Sequence, residues 1–248
     1  MSDGFFVAEL ALDVGLGATV AITGSEAHHA GVVRRLRIGE AVTVTNGLGQ
    51  GVIGEVASVT ASKVEVEVTE VVTEALRRPA ITVVQALPKN DRADQAIDLM
   101  TEVGVDAIVP WQANRSIVKW SSDKAEAGRR KWSVVAREAS KQARRLSFPT
   151  IAELATTAEI ADLIQASTLA LVMHEKATVA LTDCSLGDVE SCLIVIGPEG
   201  GLTDHELDVF QASGAQVVGL GPTVLRTSTA GAVAVTQART LWAAQQHR

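Results

Sequence analysis

The chain has 248 residues, of which 47% are hydrophobic and 21% are charged, and its formal net charge is −7. This length fits one large domain or a small domain followed by a medium one, and the composition is typical of a soluble globular protein. The acidic net charge argues against non-specific binding of nucleic acid by the whole surface, but it does not exclude a local basic face.

Membrane spans, leaders and metal centres have no clear signature in the sequence. No apolar run approaches the ~20 residues that a membrane helix needs, and residues 1–6 lack the basic flank and apolar core of a signal peptide. Cys184 and Cys192 lie outside any C-x-x-C or His-rich context, so we expect reduced thiols and no zinc. The expected location is the cytoplasm.

Residues 1–72 are predicted to be rich in β-structure. Residues 42–45 alternate and end at Asn46-Gly47, a strong hairpin signal, and residues 63–68 also alternate. Several short strands without long helices suggest a small barrel. One helix, with Ser25 as its N-cap, is expected to interrupt them and to end in a basic cluster. The cluster consists of Arg34, Arg35 and Arg37, and by itself it also fits a solvated helix end, where Arg is favoured by the helix dipole.

The second half of the chain alternates strands and helices. A linker is expected within residues 70–79, which gives predicted domains of 1–72 and 73–248. An apolar strand at residues 80–87 is followed by a helix capped by Asn90 or Asp91 and then by another strand. Further strands are predicted at residues 168–174, 192–196 and 217–220, and a small-residue helix at 228–245. This rhythm indicates a parallel sheet.

A long helix predicted over residues 121–146 carries a nearly all-basic face. Its buried stripe runs from Trp132 to Leu146, and Glu138 is the only acid between Arg129 and Arg145. Like charges four residues apart destabilise a helix, so a phosphate partner is favoured over a solvated face that happens to be basic. The candidate contacts are Arg130, Arg137, Lys141, Arg144 and Arg145.

Two glycine-rich turns near the end of the chain predict one ligand site. The first, Gly197-Pro198-Glu199-Gly200-Gly201, follows an apolar strand and precedes Thr203 and Glu206, which fit a helix capping box. The second turn covers residues 219–222. Phosphate-loop and dinucleotide patterns do not fit, and Glu199 would repel a pyrophosphate. The turns therefore favour a neutral or cationic ligand that main-chain groups bind.

These two segments resemble the knot motifs of the RsmE family. The matching residues are 196–203 and 220–230, and the resemblance continues in Lys89-Asn90-Asp91, residues 101–105, Asn114-Arg115-Ser116 and residues 132–149. His29, Val33, Arg35 and Gly39 match positions of the family's first domain. The RNA contacts that this resemblance implies in the first domain are His29, Arg34, Arg35 and Arg37. One departure is Ser228, where the family usually has Glu.

The resemblance implies a knotted SPOUT (trefoil-knot) α/β methyltransferase domain with a mostly parallel sheet, preceded by a small PUA-like β-barrel domain that binds RNA. The implied reaction transfers a methyl group from S-adenosylmethionine to N3 of a uridine in small-subunit (16S) ribosomal RNA. The implied partners are that RNA or the 30S subunit and a second copy of the chain, since the helix at residues 228–245 helps to form a homodimer in the family.

Methylation of a uracil imide requires sharing of the N3 proton and donors for charge that spreads onto the neighbouring carbonyl oxygens. Arg226 is the predicted donor, and the full predicted catalytic set is Arg226, Glu199, Ser228, Thr229 and Arg115. Cofactor contacts, mostly from the main chain, are expected from Val172, Met173, His174, Ile196, Gly197, Pro198, Glu199, Gly200, Leu220, Gly221, Pro222 and Leu225.

Several alternatives stay open at this point. Arg226 is alternatively a structural bridge, Glu199 a brace for its own loop and His174 a structural residue. A SPOUT enzyme that modifies a ribose hydroxyl or a transfer-RNA base would share the cofactor turns. A non-catalytic RNA-binding assembly factor would explain Ser228, and a dinucleotide-dependent oxidoreductase is the weakest alternative because no helix follows Gly47-Leu48-Gly49-Gln50-Gly51.

Overall fold

The computed structural model of the chain describes residues 5–7, 14–75, 77–89 and 92–246. The predicted caps Asn90 and Asp91 lie outside these residues. The chain divides into two compact units, Met1–Leu76 with Ser140–Phe148, and Arg77–Ala139 with Pro149–Arg248. Residues 140–148, which we had assigned to the second domain, therefore belong to the first unit.

The first unit is built on one five-stranded sheet in the order β1-β3-β4-β5-β2. The strands are β1 (Phe5–Val7), β2 (Thr19–Thr23), β3 (Ala41–Thr45), β4 (Gln50–Val59) and β5 (Lys63–Thr73). β1 pairs with β3 in parallel and the other pairs are antiparallel. The hairpin predicted at Asn46-Gly47 is confirmed, because Asn46 Oδ1 accepts hydrogen bonds from the main-chain N–H groups of Leu48 and Gln50 at 2.8 and 3.2 Å.

A short helical segment follows β2 in the first unit. Helix α1 covers Gly24–His28 and continues into a π-helical turn at His29–Val33. The prediction of Ser25 as the N-cap is wrong, because the N-cap is Thr23 and the helix therefore begins two residues earlier than predicted, at Gly24. Leu36 is buried in the core of the sheet. Val33 is 62% exposed, so the turn presents an apolar side chain beside the basic cluster.

The second unit has a six-stranded parallel sheet in the order β11-β9-β10-β6-β7-β8. Its strands are β6 (Ala80–Ala86), β7 (Ala107–Trp111), β8 (Thr150–Ile151), β9 (Leu169–Met173), β10 (Ser191–Ile196) and β11 (Gln216–Val218). Its helices are α2 (Arg92–Glu102), α3 (Ser122–Gln142, which runs into the first unit), α4 (Thr157–Ala166), α5 (Asp204–Ala212) and α6 (Thr227–Gln246). The predicted βαβ rhythm is confirmed.

Helices cover both faces of the parallel sheet, as a fully apolar parallel strand requires. One core cluster joins β6 and β10 to α2, α3 and α6, and it includes Ile97, Trp132 and Val235. The other cluster packs α4 and α5 on the opposite face, where the Trp111 and Phe210 rings meet edge to face at 5.4 Å. The sheet is therefore the middle layer of three.

Helix α3 ends earlier than its sequence pattern predicts. We expected it to reach Leu146, but it stops at Gln142, and Arg144 then adopts a left-handed conformation with φ of 55°. Within the first unit the Leu146 carbonyl accepts hydrogen bonds from Thr45 Oγ1 at 2.7 Å and from Gly49 N at 3.1 Å. Pairing with the β3–β4 hairpin thus replaces the last helical turn.

The small residues of α6 have a partner within the chain. Ala230, Gly231, Ala234 and Ala238 are buried, and a Cβ built on Gly231 would lie 2.5 Å from Met100 Sδ of α2. The close packing that these residues permit is therefore used between α6 and α2.

The two cysteines are both buried and unpaired by disulfides. Burial raises the pKa of the Cys192 thiol to about 12, so this side chain stays protonated at neutral pH. Among the described residues no helix combines the length and the apolar character that would let it cross a membrane.

Candidate functional site

A pocket of about 850 Å³ opens at the carboxyl ends of β9, β10 and β11 in the second unit. Carboxyl ends of adjacent parallel strands meet at one edge of a sheet, where ligands of such folds bind. The loop after β10 (residues 197–202), the loop after β11 (residues 219–226) and the end of β9 form its walls. The two glycine-rich turns therefore line one pocket.

The loop after β10 is held by its own turn and by the helix behind it. Gly201 N donates to the Pro198 carbonyl at 2.9 Å, and Gly201 has φ of 70°, a conformation that glycine adopts without strain. Leu202 is buried. Thr203 then caps α5 in the predicted capping box, which the structure confirms.

The fully buried carboxyl group of Glu206 joins this capping box to a second loop. Its Oε2 accepts from Thr203 N and Thr203 Oγ1, both at 2.8 Å, and its Oε1 accepts from Asn114 N at 2.8 Å. Asn114-Arg115-Ser116 is thereby fixed beside the glycine turn. The carboxyl group is buried and bonded to three donors, so its loss would leave several polar groups unsatisfied.

Arg115 braces the first loop from outside the turn. Its Nη1 donates to the Gly200 carbonyl at 3.2 Å and to the Leu202 carbonyl at 3.0 Å. A Cβ built on Gly200 would come within 3.0 Å of Arg115 Cβ, so the turn and this residue are in close contact. Arg115 lines the pocket, but its guanidinium is bonded to main-chain carbonyls.

Glu199 and His174 also line the pocket and make main-chain contacts. Glu199 is exposed and one carboxylate oxygen accepts from Lys89 N at 3.1 Å. His174 is half-buried, and its Nδ1 accepts from Lys176 N at 3.2 Å. Each residue has therefore both a structural contact and access to the pocket.

The loop after β11 is anchored to two other segments. Gly219 N donates to the Val179 carbonyl at 2.9 Å, and Gln237 Nε2 of α6 donates to the Leu220 carbonyl at 3.0 Å. Beyond these anchors the loop is open to solvent, with Val224 79% exposed and Arg226 exposed. Arg226 lines the pocket directly before α6 begins at Thr227, one residue before the predicted start.

Eleven of the twelve predicted cofactor residues line the pocket, and Val172 does not. Val172 is in the middle of the sheet, paired with Val195 on one side and Val217 on the other, so both its side chain and its main chain are buried in the core. The prediction for Val172 therefore needs correction.

Ser228 and Thr229 are not among the pocket-lining residues either. Ser228 is 2% exposed in the first turn of α6, and Thr229 N donates to the Arg226 carbonyl at 2.9 Å. The helix starts at Thr227, so both residues belong to its first turn and not to the preceding loop. Sequence reasoning also missed two residues. Arg92 of α2 lines the pocket, and Gln85 of β6 donates a hydrogen bond to Thr227, which lines it as well.

The predicted RNA contacts divide into exposed and buried groups. Exposed residues are His29, Arg34, Arg35, Arg37, Arg130 and Arg144, whereas Arg137 is half-buried. The prediction that Lys141 contacts RNA needs correction, because its ammonium group pairs with Glu26 at 3.2 Å and both side chains are largely buried. The prediction for Arg145 also needs correction, because this residue is only 4% exposed. The acid that neutralises Lys141 comes from α1, so the helix sequence alone did not show it. Arg130 pairs with Glu126 at 3.3 Å.

Within the described part of the chain, no group of three or more His, Cys, Asp or Glu side chains is arranged to hold a metal ion.

The two units match two families of RNA-modifying proteins. Residues 76–239 match the RNA methyltransferase domain, and residues 22–69 match the RNA methyltransferase PUA domain. Together with the pocket at the sheet edge, these matches define an RNA methyltransferase with a PUA-like first domain.

Relatives narrow the class to one family. The ribosomal RNA small subunit methyltransferase E of Mycobacterium bovis is 38% identical over 223 residues, which cover 88% of this chain and 85% of the relative. The Bacillus subtilis protein of that name is 33% identical over 220 residues, 86% of each chain. A crystal structure of the Neisseria gonorrhoeae protein, bound to S-adenosyl methionine, is 27% identical with a TM-score of 0.86 and covers 96% of this chain and 98% of that one. The chain belongs to the RsmE family of small-subunit ribosomal RNA methyltransferases.

The extra hydrogen bond from Asn114 N to Glu206 predicts that the Thr203–Glu206 capping box contributes more to the free energy of unfolding than the Thr156–Glu159 box. Glu206→Gln should lower the free energy of unfolding by roughly 1–3 kcal/mol, because an amide N–H₂ would then face buried N–H donors. Glu159→Gln, in the exposed Thr156 box of α4, is the matched control and should cost clearly less, because water can replace the lost hydrogen bonds. Urea unfolding of both variants is the measurement, and equal losses would contradict the tethering role of Glu206.

Proposed function

We propose that this chain transfers a methyl group from S-adenosylmethionine to N3 of a specific uridine in 16S ribosomal RNA, using the pocket between its two glycine-rich loops. The observation that carries the proposal is the convergence of these loops at one sheet edge in a chain of the RsmE family. When bound, S-adenosylmethionine supplies an electrophilic methyl group on a sulfonium.

The pocket suits this cofactor in size and chemistry. Its volume of about 850 Å³ is within the range of sites for ligands of this size. Close main-chain walls offer both amide and carbonyl groups, which match the donor and acceptor on one edge of adenine. Three carboxylic residues, Glu175, Glu199 and Asp204, line the pocket and can pair with the positive charges of the sulfonium and the amine. The lining also contains four cationic side chains, which suit the cofactor's own carboxylate and the RNA: Arg92, Arg115, Lys176 and Arg226.

Arg226 is the proposed donor for the reacting base. Its guanidinium is permanently charged, exposed and in the pocket lining, so it can reach a uracil that enters from solvent. In the proposed step N3 gives its proton to Glu199 or to water and takes the methyl group, and the sulfonium leaves as a neutral thioether. Hydrogen bonds from Arg226 to a carbonyl oxygen beside N3 would stabilise the negative charge that develops on the base. Positioning of N3 in line with the methyl group would further lower the activation barrier.

The replacement of the family Glu by Ser228 does not favour a loss of catalysis. Ser228 is buried outside the pocket lining, so the exchange leaves the walls of the pocket intact. This position is better explained by packing at the start of α6 than by proton transfer.

The proposal extends to assembly and fold. We infer that the second unit contains the trefoil knot of the SPOUT superfamily, that two copies form a homodimer and that the protein acts in the cytoplasm, where its ribosomal RNA substrate is made. The family resemblance supports these three inferences. Light scattering of the purified protein tests the homodimer, for which the measured mass should equal that of two chains.

Mapping of modified nucleotides tests the proposed reaction directly. Small-subunit ribosomal RNA from cells that lack this protein should lose one N3-methyluridine, and the wild-type gene should restore it. An unchanged map would favour a non-catalytic assembly factor, whereas loss of a ribose methyl group or of a transfer-RNA modification would favour another target. Either result contradicts the proposal.

Arg226→Ala should lower the rate of methyl transfer by about 100-fold or more, because a donor to developing charge is lost. Its dissociation constant for S-adenosylmethionine should change less than about threefold, since main-chain groups provide most of the proposed cofactor contacts. The control is Arg78→Ala at the opposite end of β6, where Arg78 pairs with exposed Glu190. Equal losses of rate and affinity would make Arg226 a cofactor clamp instead.

The basic cluster of the first unit is the proposed RNA surface. Arg37→Glu should weaken binding of a small-subunit ribosomal RNA fragment severalfold and reduce the slope of log affinity against log salt by about 1. Lys63→Glu makes the same charge change at another exposed position of this unit, where Lys63 pairs with Glu65 at 2.6 Å. Filter binding at several salt concentrations compares the two. If both variants lose the same RNA affinity, the effect of Arg37→Glu comes from net charge alone, and Arg37 does not contact the RNA.

A further inference from the structure

Beneath the first loop, three residues from separate elements form one hydrogen-bonded series. Gln85, in β6, is fully buried and its Nε2 donates to Thr227 Oγ1 at 3.1 Å. Thr227 Oγ1 in turn donates to the Gly197 carbonyl at 2.7 Å. The series therefore links β6, the first residue of α6 and the first residue of the loop after β10.

The direction of every bond in the series is fixed by the chemistry of the groups. A side-chain amide nitrogen only donates, so the Thr227 oxygen must accept from Gln85 and its single proton must go to Gly197. The second Nε2 proton goes to the Ala86 carbonyl at 2.9 Å. A flipped amide would place Oε1 against that carbonyl, two acceptors in contact, which assigns the orientation shown.

The bond to Gly197 is the anchor that this peptide needs. The next residue is Pro198, so the peptide between them has no N–H and its carbonyl is the one polar group available for an anchor. Gln85 is opposite Ile196 in the neighbouring strand, which places the series level with the end of β10. The carbonyl that starts the loop is thus held at the point where strand pairing stops.

The same hydroxyl also connects the two walls of the pocket. Thr227 directly follows Arg226, and its side chain reaches across to the loop that contains Glu199 and Gly200. Thr227 is 6% exposed, so water competes little for its hydroxyl. A shift of one wall would therefore be transmitted to the other through this bond.

We propose that Gln85 and Thr227 are positioning residues, which set the Gly197 carbonyl and thereby hold the glycine turn of residues 197–201 in the shape that accepts the cofactor. The proposal rests on the proposed function, because the ligand is S-adenosylmethionine. Thr227 is part of the pocket lining and Gln85 lies outside it, and the role proposed for both is exerted through the main chain of the loop.

Four variants distinguish the contribution of the Thr227 hydroxyl from the contribution of side-chain shape. Thr227→Val removes the hydroxyl and keeps the shape, Thr227→Ser keeps the hydroxyl, and Gln85→Met removes the amide. Thr236→Val is the matched control, because it removes another threonine hydroxyl of α6 that bonds only within the helix, to the Ala232 carbonyl at 2.8 Å. Thermal melting of each variant reports whether it is folded.

Two readouts are measured on each variant: the calorimetric dissociation constant for S-adenosylmethionine, and hydrogen exchange of residues 197–202 without any ligand. Thr227→Val should bind about tenfold more weakly, with faster exchange at the Gly201 amide. Gln85→Met should show a smaller change in the same direction. Thr227→Ser should stay within about twofold of the wild type, as should Thr236→Val.

The proposal is overturned if Thr227→Val binds like the wild type, whether or not its loop exchanges faster, or if Thr227→Ser is as weak as Thr227→Val. Should Thr227→Val fail to fold, Gln85→Met decides, and unchanged affinity and exchange in that variant overturn the proposal. A wild-type protein that does not bind S-adenosylmethionine contradicts the proposed function instead. In that case the exchange rates still decide whether the series holds the loop.

Discussion

Parallel pairing of β6, β10, β9 and β11 is the constraint on which the pocket depends. It brings the carboxyl ends of β9, β10 and β11 to one edge, where the loops that follow them must meet. Apolar clusters on both faces fix the register, because a shift by one residue would exchange the two buried faces of every strand. The site is therefore a consequence of sheet order, and the loops only complete it.

Side chains that bond to the main chain from behind keep the loops in shape. Arg115 bonds carbonyls of the first loop, Gln237 bonds a carbonyl of the second and Glu206 ties a third loop to the start of α5. Such contacts order the loops before any ligand arrives, which lowers the conformational cost of binding. This arrangement lets peptide groups form the binding surface while side chains provide its support.

Sequence reasoning succeeded where the signal is local. Thr203 and Glu206 are three residues apart, so their capping box could be predicted from spacing, as could the hairpin at Asn46-Gly47. It failed where a distant residue decides the outcome. Lys141 is neutralised by Glu26, which is 115 positions away in the sequence, and Gln85 donates a hydrogen bond to Thr227, which is 142 positions away. Neither pairing leaves a trace in the spacing of either residue.

The remaining errors arose at the ends of elements. Val172 was expected to contact the cofactor together with Met173 and His174, yet pairing on both sides keeps it within the sheet. Leu146 continues the helical period of α3, but bonds from Thr45 and Gly49 draw its carbonyl to the hairpin. Periodicity identifies an element, whereas tertiary contacts decide where it stops.

The central claim is that peptide groups of the two glycine-rich loops bind S-adenosylmethionine. A crystal structure of this chain grown with S-adenosylmethionine tests it most directly. We expect the cofactor between residues 196–200 and 220–225, with its adenine edge bonded to main-chain groups and Arg226 beside the methyl group. A cofactor bound elsewhere, or held in this pocket mainly by side chains, would contradict the account.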